Sequence, residues 1–230
     1  TCRINANQAG DTSFAPATQV QQSFTVSRAL ELTTPVSGLS GTFNSAYTLT
    51  LARAGGAPPY TFDLNSGTLP SGLSIESSTG VIRGTPSAAT TQTVTVRVTD
   101  ANGATATTNS FAISIAAAPL GTPSTPTSSA TVGSLKSMGV TWTAVDNASS
   151  YTVKVYANNG STLLQSINNV LGTFLTISSI NFAGIADGTN YKISVTAVGT
   201  GNYSASSESA QSATTTNVKH TFDPNGAAGS

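Results

Sequence analysis

Between residues 91 and 99 the chain reads Thr-Gln-Thr-Val-Thr-Val-Arg-Val-Thr, with Val94, Val96 and Val98 on one phase and Thr93, Thr95, Arg97 and Thr99 on the other. A strict period of two sets branched apolar side chains on one face of an extended strand and polar ones on the opposite face. The pattern returns at Phe111, Ile113 and Ile115, at Tyr151, Val153 and Val155, and at Tyr191, Ile193, Val195 and Ala197. Helical periodicity is hard to find anywhere, so the expected fold class is all-β. Half-buried strands of this kind must stack into sandwiches to cover their apolar faces.

Punctuation between the strands divides the chain. Asp100-Ala101-Asn102-Gly103 separates two alternating runs, and its Asn-Gly pair offers the positive φ angles of a tight hairpin turn. From Ala116 to Pro126, Pro119, Pro123 and Pro126 withhold backbone donors and fix φ, so residues 117–127 are expected as a semi-rigid linker in which no strand pairs normally. The resulting organisation is a partial module over 1–30, a sandwich over 31–116, the linker, a second sandwich over 128–216, and a first strand or tail over 217–230. Neither terminal piece has enough strands to close a core unaided. The chain is expected to be a slice of a longer array.

Charged residues make up only 8% and sum to zero. Scattered single Lys and Arg residues lack the electrostatic footprint of nucleic-acid or anionic-lipid binding, so neither partner is expected. Ser and Thr together reach roughly 30%, a composition suited to water-facing β surfaces. No apolar run approaches the about eighteen residues of a membrane span, so no membrane insertion is expected in this segment. Cys2 is the only cysteine, which rules out a disulfide within the chain and leaves stability to sheet packing.

Leu69-Pro70-Ser71-Gly72-Leu73-Ser74-Ile75, followed by Gly80-Val81-Ile82-Arg83-Gly84-Thr85-Pro86 and the ribbon ending in Asp100, resembles an Ig-like family of bacterial surface proteins related to cadherin-like and dystroglycan-type domains. Read physically, Gly72, Gly80 and Gly84 permit sharp reversals while Leu69, Leu73, Ile75 and Ile82 face a core. From about Thr122 to Thr216 the chain resembles a fibronectin type III module, through Val140-Thr141-Trp142, Tyr151–Tyr156 and Gly188-Thr189-Asn190-Tyr191. The resemblance implies a core Trp142 and a Tyr191 that makes the corner hydrogen bond. One departure is the long middle, 158–181, which must form a longer loop or an added strand.

Residues 1–10 with Phe14 and Ser23–Val26 are similar to the closing strands of Ig-like repeats in bacterial adhesins. In such repeats the cysteine often pairs with one upstream, which here would lie before Thr1. His220-Thr221-Phe222-Asp223-Pro224-Asn225-Gly226 resembles the start of the B-type repeats of Listeria and Bacteroides surface proteins. Together these resemblances imply tandem Ig-like and fibronectin type III-like β-sandwiches in an elongated array, a rod on the order of 70–90 Å.

Motifs for chemistry are sparse. Nucleophilic catalysis needs a base held by an orienting group, and the only histidine, His220, lies far from any distinctive serine motif. The nine acidic residues have ordinary settings, with Asp100, Asp146, Asp187 and Asp223 at turns. No catalytic residue is therefore assigned and the chain is not expected to be an enzyme. Calcium is the metal to consider, because Asp100 and Asn102 offer two oxygens at a loop; a site needs six to eight, and Asp63 and Glu76 would have to converge with them. Zinc and phosphate sites lack a starting motif. Among the aromatics, Tyr47, Tyr60, Tyr156 and Tyr203 are candidates for stacking on a sugar, and Tyr156, on the outward phase of its strand, is the glycan candidate of choice. Lys154 and Lys192 sit on outward phases as ordinary solvated lysines rather than isopeptide donors.

The functional expectation is a passive spacer or stalk of an extracellular, bacterial multidomain protein at the cell surface, of adhesin type. Its partners would be neighbouring modules or neighbouring copies, with a cell-surface or glycan ligand as a further option, and no cofactor is required. Alternatives are a filament or sheath subunit that pairs its incomplete ends by strand addition, a glycan-binding module, and an Ig-like decoration of a phage virion.

Overall fold

The computed structural model describes residues 2–24, 28–131, 137–178 and 189–216. Every regular element among the described residues is a β-strand. The chain divides into two compact units: Thr1–Gly41 with Ser45–Ile115, and Thr42–Asn44 with Ala116–Ser230.

In the first unit, β1 (Cys2–Ala6) and β2 (Val20–Phe24) pair antiparallel as a ribbon, with Cys2 opposite Phe24 and Ala6 opposite Val20. This register puts Ile4 and Val20 on one face, and each is 61% exposed, so the ribbon has strand pairing but no core. A sandwich follows. Strands β3 (Glu31–Leu32), β4 (Ser40–Thr42), β5 (Tyr47–Thr50), β6 (Arg53–Ala54), β7 (Thr61–Ser66), β8 (Leu73–Ile75), β9 (Val81–Gly84), β10 (Thr91–Thr99), β11 (Thr105–Thr107) and β12 (Phe111–Ala116) complete the unit. One sheet runs β11-β10-β12-β4 with β7 on the other side of β10, a second runs β5-β9-β8, and β3 pairs with β6.

The alternating valines of β10 are buried, with Val96 and Val98 at 0% exposure, and they pack with Phe62, Ile82, Phe111, Ile113 and Ile115 as the core. Two glycines are needed for their backbone. Gly84 has φ 146°, and a Cβ there would lie 2.1 Å from the Gly72 carbonyl oxygen; at Gly80, φ 73°, it would strike the Phe62 ring at 2.6 Å.

The reversal at Asp100–Gly103 is present, but only Gly103 takes a positive φ, 80°. Asn102 does not adopt the left-handed conformation of a two-residue type I′ turn. The turn is closed instead by Asp100 N–H to Ala104 O and Gly103 N–H to Asp100 O, at 2.9 and 3.0 Å. The returning strand is also interrupted: β11 pairs with Arg97–Thr99 and β12 with Thr91–Val94. Buried Thr108 spans the gap, donating its N–H to Val96 O and accepting from Val96 N–H on its hydroxyl.

The second unit comprises β13 (Ala118–Pro119), β14 (Thr127–Thr131), β15 (Ser137–Thr141), β16 (Ser150–Ala157), β17 (Leu163–Val170), β18 (Phe174–Ser178), β19 (Asn190–Val198), β20 (Tyr203–Ser204) and β21 (Thr215–Thr216). A three-stranded sheet, β14-β15-β18, faces a four-stranded one, β17-β16-β19-β21. Between them lie Met138, Val140, Trp142, Tyr151, Val153, Val155, Ile177, Tyr191, Ile193 and Val195. Trp142 and Tyr151 meet edge to face at 5.3 Å, and the Tyr151 hydroxyl accepts the Val145 N–H at 2.8 Å. Trp142 and Tyr191, 7% and 1% exposed, are core residues.

Two sequence expectations change here. Residues 118–120, expected within an unpaired linker, form an edge of the second unit: β13 runs parallel to β20, with Ala118 N–H on Asn202 O and Leu120 N–H on Ser204 O. Pro119 falls between the two donors, where its missing N–H would have pointed away from β20, so the proline is tolerated. The long middle resolves into an added edge strand, β17, with register shifts at both ends of its pairing with β16 and Asn169 at φ 58°. Gly188 and the B-type resemblance at 217–230, with His220, lie outside the described residues.

Candidate functional site

The best-developed polar constellation lies on the outward face of the four-stranded sheet of the second unit. Strands β16 and β19 set Lys154 opposite Ser194 and Tyr156 opposite Lys192. Beyond β19 runs the segment from Ala205 to Thr214, which is not a regular strand but is bonded to β19 all along. Ser206, Ser209 and Ser212 donate their N–H groups to the carbonyls of Ala197, Val195 and Ile193, at 3.0, 2.9 and 2.7 Å. Their hydroxyls accept from the N–H groups of the same three residues, at 2.9, 2.9 and 3.0 Å. Each hydroxyl then donates to the carbonyl of the next residue. Every third residue of this ladder thus meets every second residue of β19, an extra residue per step that is equivalent to a bulge repeated in series.

The ladder carries Glu208 to the sheet face. Its carboxylate accepts from Lys154 Nζ at 2.5 Å, from the Tyr156 hydroxyl at 2.7 Å, and from Ser194 Oγ. Ser194 is on the outward phase yet 0% exposed, because these three side chains meet over it. Burial pushes the Glu208 carboxyl up, but the bonds from Lys154, Ser194 and Tyr156 outweigh it and hold the group below the usual carboxylate range. The bond to Glu208 raises Lys154 above the ordinary lysine value. Burial, with the bond to Glu208, raises the Tyr156 phenol. A carboxylate so stabilised is a weak base, and a phenol and ammonium so raised are weak acids. The cluster is built to pin the ladder against the sheet.

The glycan candidate Tyr156 is therefore half-buried, with its hydroxyl engaged by Glu208. Of the other aromatic candidates, Tyr47 is a core residue at 7% exposure, its hydroxyl bonded to Gly38 O. Tyr60 lies under the Arg53 guanidinium at 3.5 Å, and Tyr203 packs on the second core.

The calcium candidates sit at the turn between β10 and β11. Asp100 Oδ2 accepts the Ala57 N–H at 3.0 Å, and Oδ1 accepts those of Asn102 and Ala104, each at 2.9 Å. The bond from Ala57, aided by those from Ala104 and Asn102 against the effect of burial, lowers the Asp100 carboxyl below its ordinary value. Asp63 and Glu76 do not converge on it: Asp63 pairs with Arg97 and Glu76 with Arg83. Among the described residues no three His, Cys, Asp or Glu side chains group as metal ligands. Asp100 and Asn102 are brought together as a turn closed on itself, and the donor set does not fit the six to eight oxygens of a calcium site.

The sequence places Glu208 only among the acids of ordinary setting and Ser194 only on the outward phase of its strand, and the ladder serines have no place in it. The signal was the spacing Ser206-x-x-Ser209-x-x-Ser212 after a late strand.

Residues 12–116 match the family model described as "Putative Ig domain". None of the curated proteins matches the chain. Among solved structures, a Fn3-like protein from Clostridium thermocellum is 28% identical over 39% of this chain and 85% of its own, with a TM-score of 0.32. A segment of two fibronectin type III domains from chicken tenascin is 15% identical over 83% of this chain and 98% of its own, TM-score 0.42. Domains A168–A170 of titin are 14% identical over 94% and 74%, TM-score 0.39. Ig-like domains of this kind are typically extracellular, and no helix among the described residues is long and apolar enough to cross a membrane. The chain thus resembles an Ig-like domain over residues 12–116 and carries, after it, a second β-sandwich of one three-stranded and one four-stranded sheet.

Proposed function

We propose that the chain is a structural spacer of an extracellular, adhesin-like surface protein of a bacterium, a non-catalytic stalk segment that holds a more specialised region away from the cell. The observation that carries this reading is the succession of two sandwiches, each with its own closed core. The polar side chains with the strongest interactions support it, because Glu208, Lys154, Asp100 and Arg97 spend their bonding capacity on their own fold. A charge-poor, hydroxyl-rich exterior suits prolonged exposure to changing salt, since few surface charges are there to be screened.

The test is replacement within the full-length protein. Exchange of residues 31–216 for an unrelated pair of sandwiches of similar length should leave attachment to the target intact, while deletion of the segment should weaken it wherever reach is limiting. Loss of attachment in the exchanged protein would assign binding to this segment and end the spacer reading.

Strand-addition assembly is the second reading, favoured by the ribbon of β1 and β2 with Ile4 and Val20 exposed. Light scattering over a wide concentration range decides it: growth in mass supports assembly, and a constant monomer mass dismisses it. Glycan binding has a separate test, retention on a glycan array and its loss in Tyr156→Ala.

A further inference from the structure

The entry into the second unit places an unusual set of hydroxyls. In Thr122-Pro123-Ser124-Thr125-Pro126-Thr127 both prolines are buried and all four hydroxyl residues are exposed. The buried rings fix φ and anchor the segment, so the hydroxyls are presented from an extended, preorganised backbone. They fall into two classes. Ser124 is bonded to Thr143, and Thr127 to Thr141, both by side-chain hydroxyls, so these two serve the fold. Thr122 and Thr125, each directly before a proline, make no hydrogen bond to the described residues. Thr125 also borders two shallow grooves. One is lined by Ser124, Thr127, Thr141, Trp142 and Thr143, the other by Pro126, Ser128 and Ala213–Thr215.

We infer that Thr125, with Thr122 as a secondary acceptor, is a site of O-glycosylation. Ser- and Thr-rich segments punctuated by proline are the composition of O-glycosylated stalks, because proline keeps the acceptor extended and unpaired. In the transfer, Thr125 Oγ1 attacks the anomeric carbon of a sugar activated as a glycosyl phosphate ester. The bond from that carbon to the phosphate oxygen breaks, the phosphate leaves with the electron pair, and the hydroxyl proton passes to a base of the glycosyltransferase. The hydroxyls of Ser124, Thr127, Thr141 and Thr143 line the groove in which the first sugar would rest. Thr91, by contrast, is an exposed threonine on a paired strand, and its hydroxyl is bonded to that of Ser114.

This inference rests on the extracellular reading above. Its test is peptide mass spectrometry on the full-length protein from its native host, beside the same protein made in a bacterial cytoplasm as an unmodified reference. Cleavage after Arg97 and Lys136 isolates the segment in one peptide. The expected result is a mass gain of whole sugar residues, located on Thr125 by fragmentation that spares side-chain bonds, absent from the reference and lost from that position in Thr125→Val. A native peptide at its unmodified mass, sugars confined to other threonines, or a phosphate increment would overturn it. Protease accessibility on intact cells separates the two readings: an inaccessible segment refutes the surface location, and an accessible but unmodified one refutes only the glycosylation.

Discussion

A single carboxylate, Asp100, holds together two loops of the first unit, through Ala57 on one side and Asn102 and Ala104 on the other. Folding lowers its pKa, so in acid the unfolded chain takes up the proton first. The stabilisation is intact above the ordinary Asp value of about 3.9 and is lost as pH falls through the lower folded value. Glu208 behaves in the same sense, and Lys154, raised by its bond to Glu208, in the opposite one: its contribution is intact below about 10.4 and lost as pH climbs through the folded value. Thermal melts followed by circular dichroism should therefore show declines at both extremes. Asp100→Asn should lower the melting temperature of the first unit at neutral pH and flatten its acid decline, and Glu208→Gln should flatten both the acid and the alkaline declines of the second. Millimolar calcium should leave the wild-type melt unmoved, because the Asp100 oxygens already accept three backbone donors.

At the level of elements, the serine ladder does the work of a strand without strand geometry. Ser209→Ala would leave the N–H of Val195, a residue at 0% exposure, without its acceptor, at a cost of roughly 1–3 kcal/mol. Ser207→Ala, at an exposed position one step away, should be neutral in the same denaturant titration. The ladder also explains why some elements were legible in the sequence and others were not. Strands β10, β12, β16 and β19 announce themselves because each buries one face of a period-two pattern. A serine at every third position reads as a polar loop, since its order comes from hydroxyls that complete a neighbour's backbone bonds rather than from burial. Thr108 uses the same device in the first unit, where it spans the gap between β11 and β12. Ala118–Leu120 was misread for a related reason: proline signals a missing donor, while two alternate donors are enough to pair. Tyr47 counted as a surface candidate because a short strand of Tyr, Thr and Leu does not say which face is covered. Asp100 and Tyr156 were both recognised as notable polar positions, but their partners, Ala57 and Glu208, are far away in sequence.

For the molecule as a whole, the two units have separate cores, and the chain's one tryptophan belongs to the second. Fluorescence of Trp142 therefore reports on one unit and circular dichroism on both. Ile82→Ala, at a position of 0% exposure in the first core, should cost about 2–5 kcal/mol there. In chemical denaturation it should shift part of the dichroism transition and leave the fluorescence midpoint in place. A fluorescence midpoint that moved with it would show that the units unfold as one.

The ladder has one more consequence, for load. Between Ser206 and Ser212 six residue steps cover the length of only four on β19, about 13 Å, whereas six extended steps reach about 20 Å. A pull applied at Thr216, once β21 has parted from β19, thus meets about 7 Å of slack, released one hydroxyl at a time, before the tension reaches Trp142 and its neighbours. In a tether, that is the behaviour of a spring placed ahead of the knot.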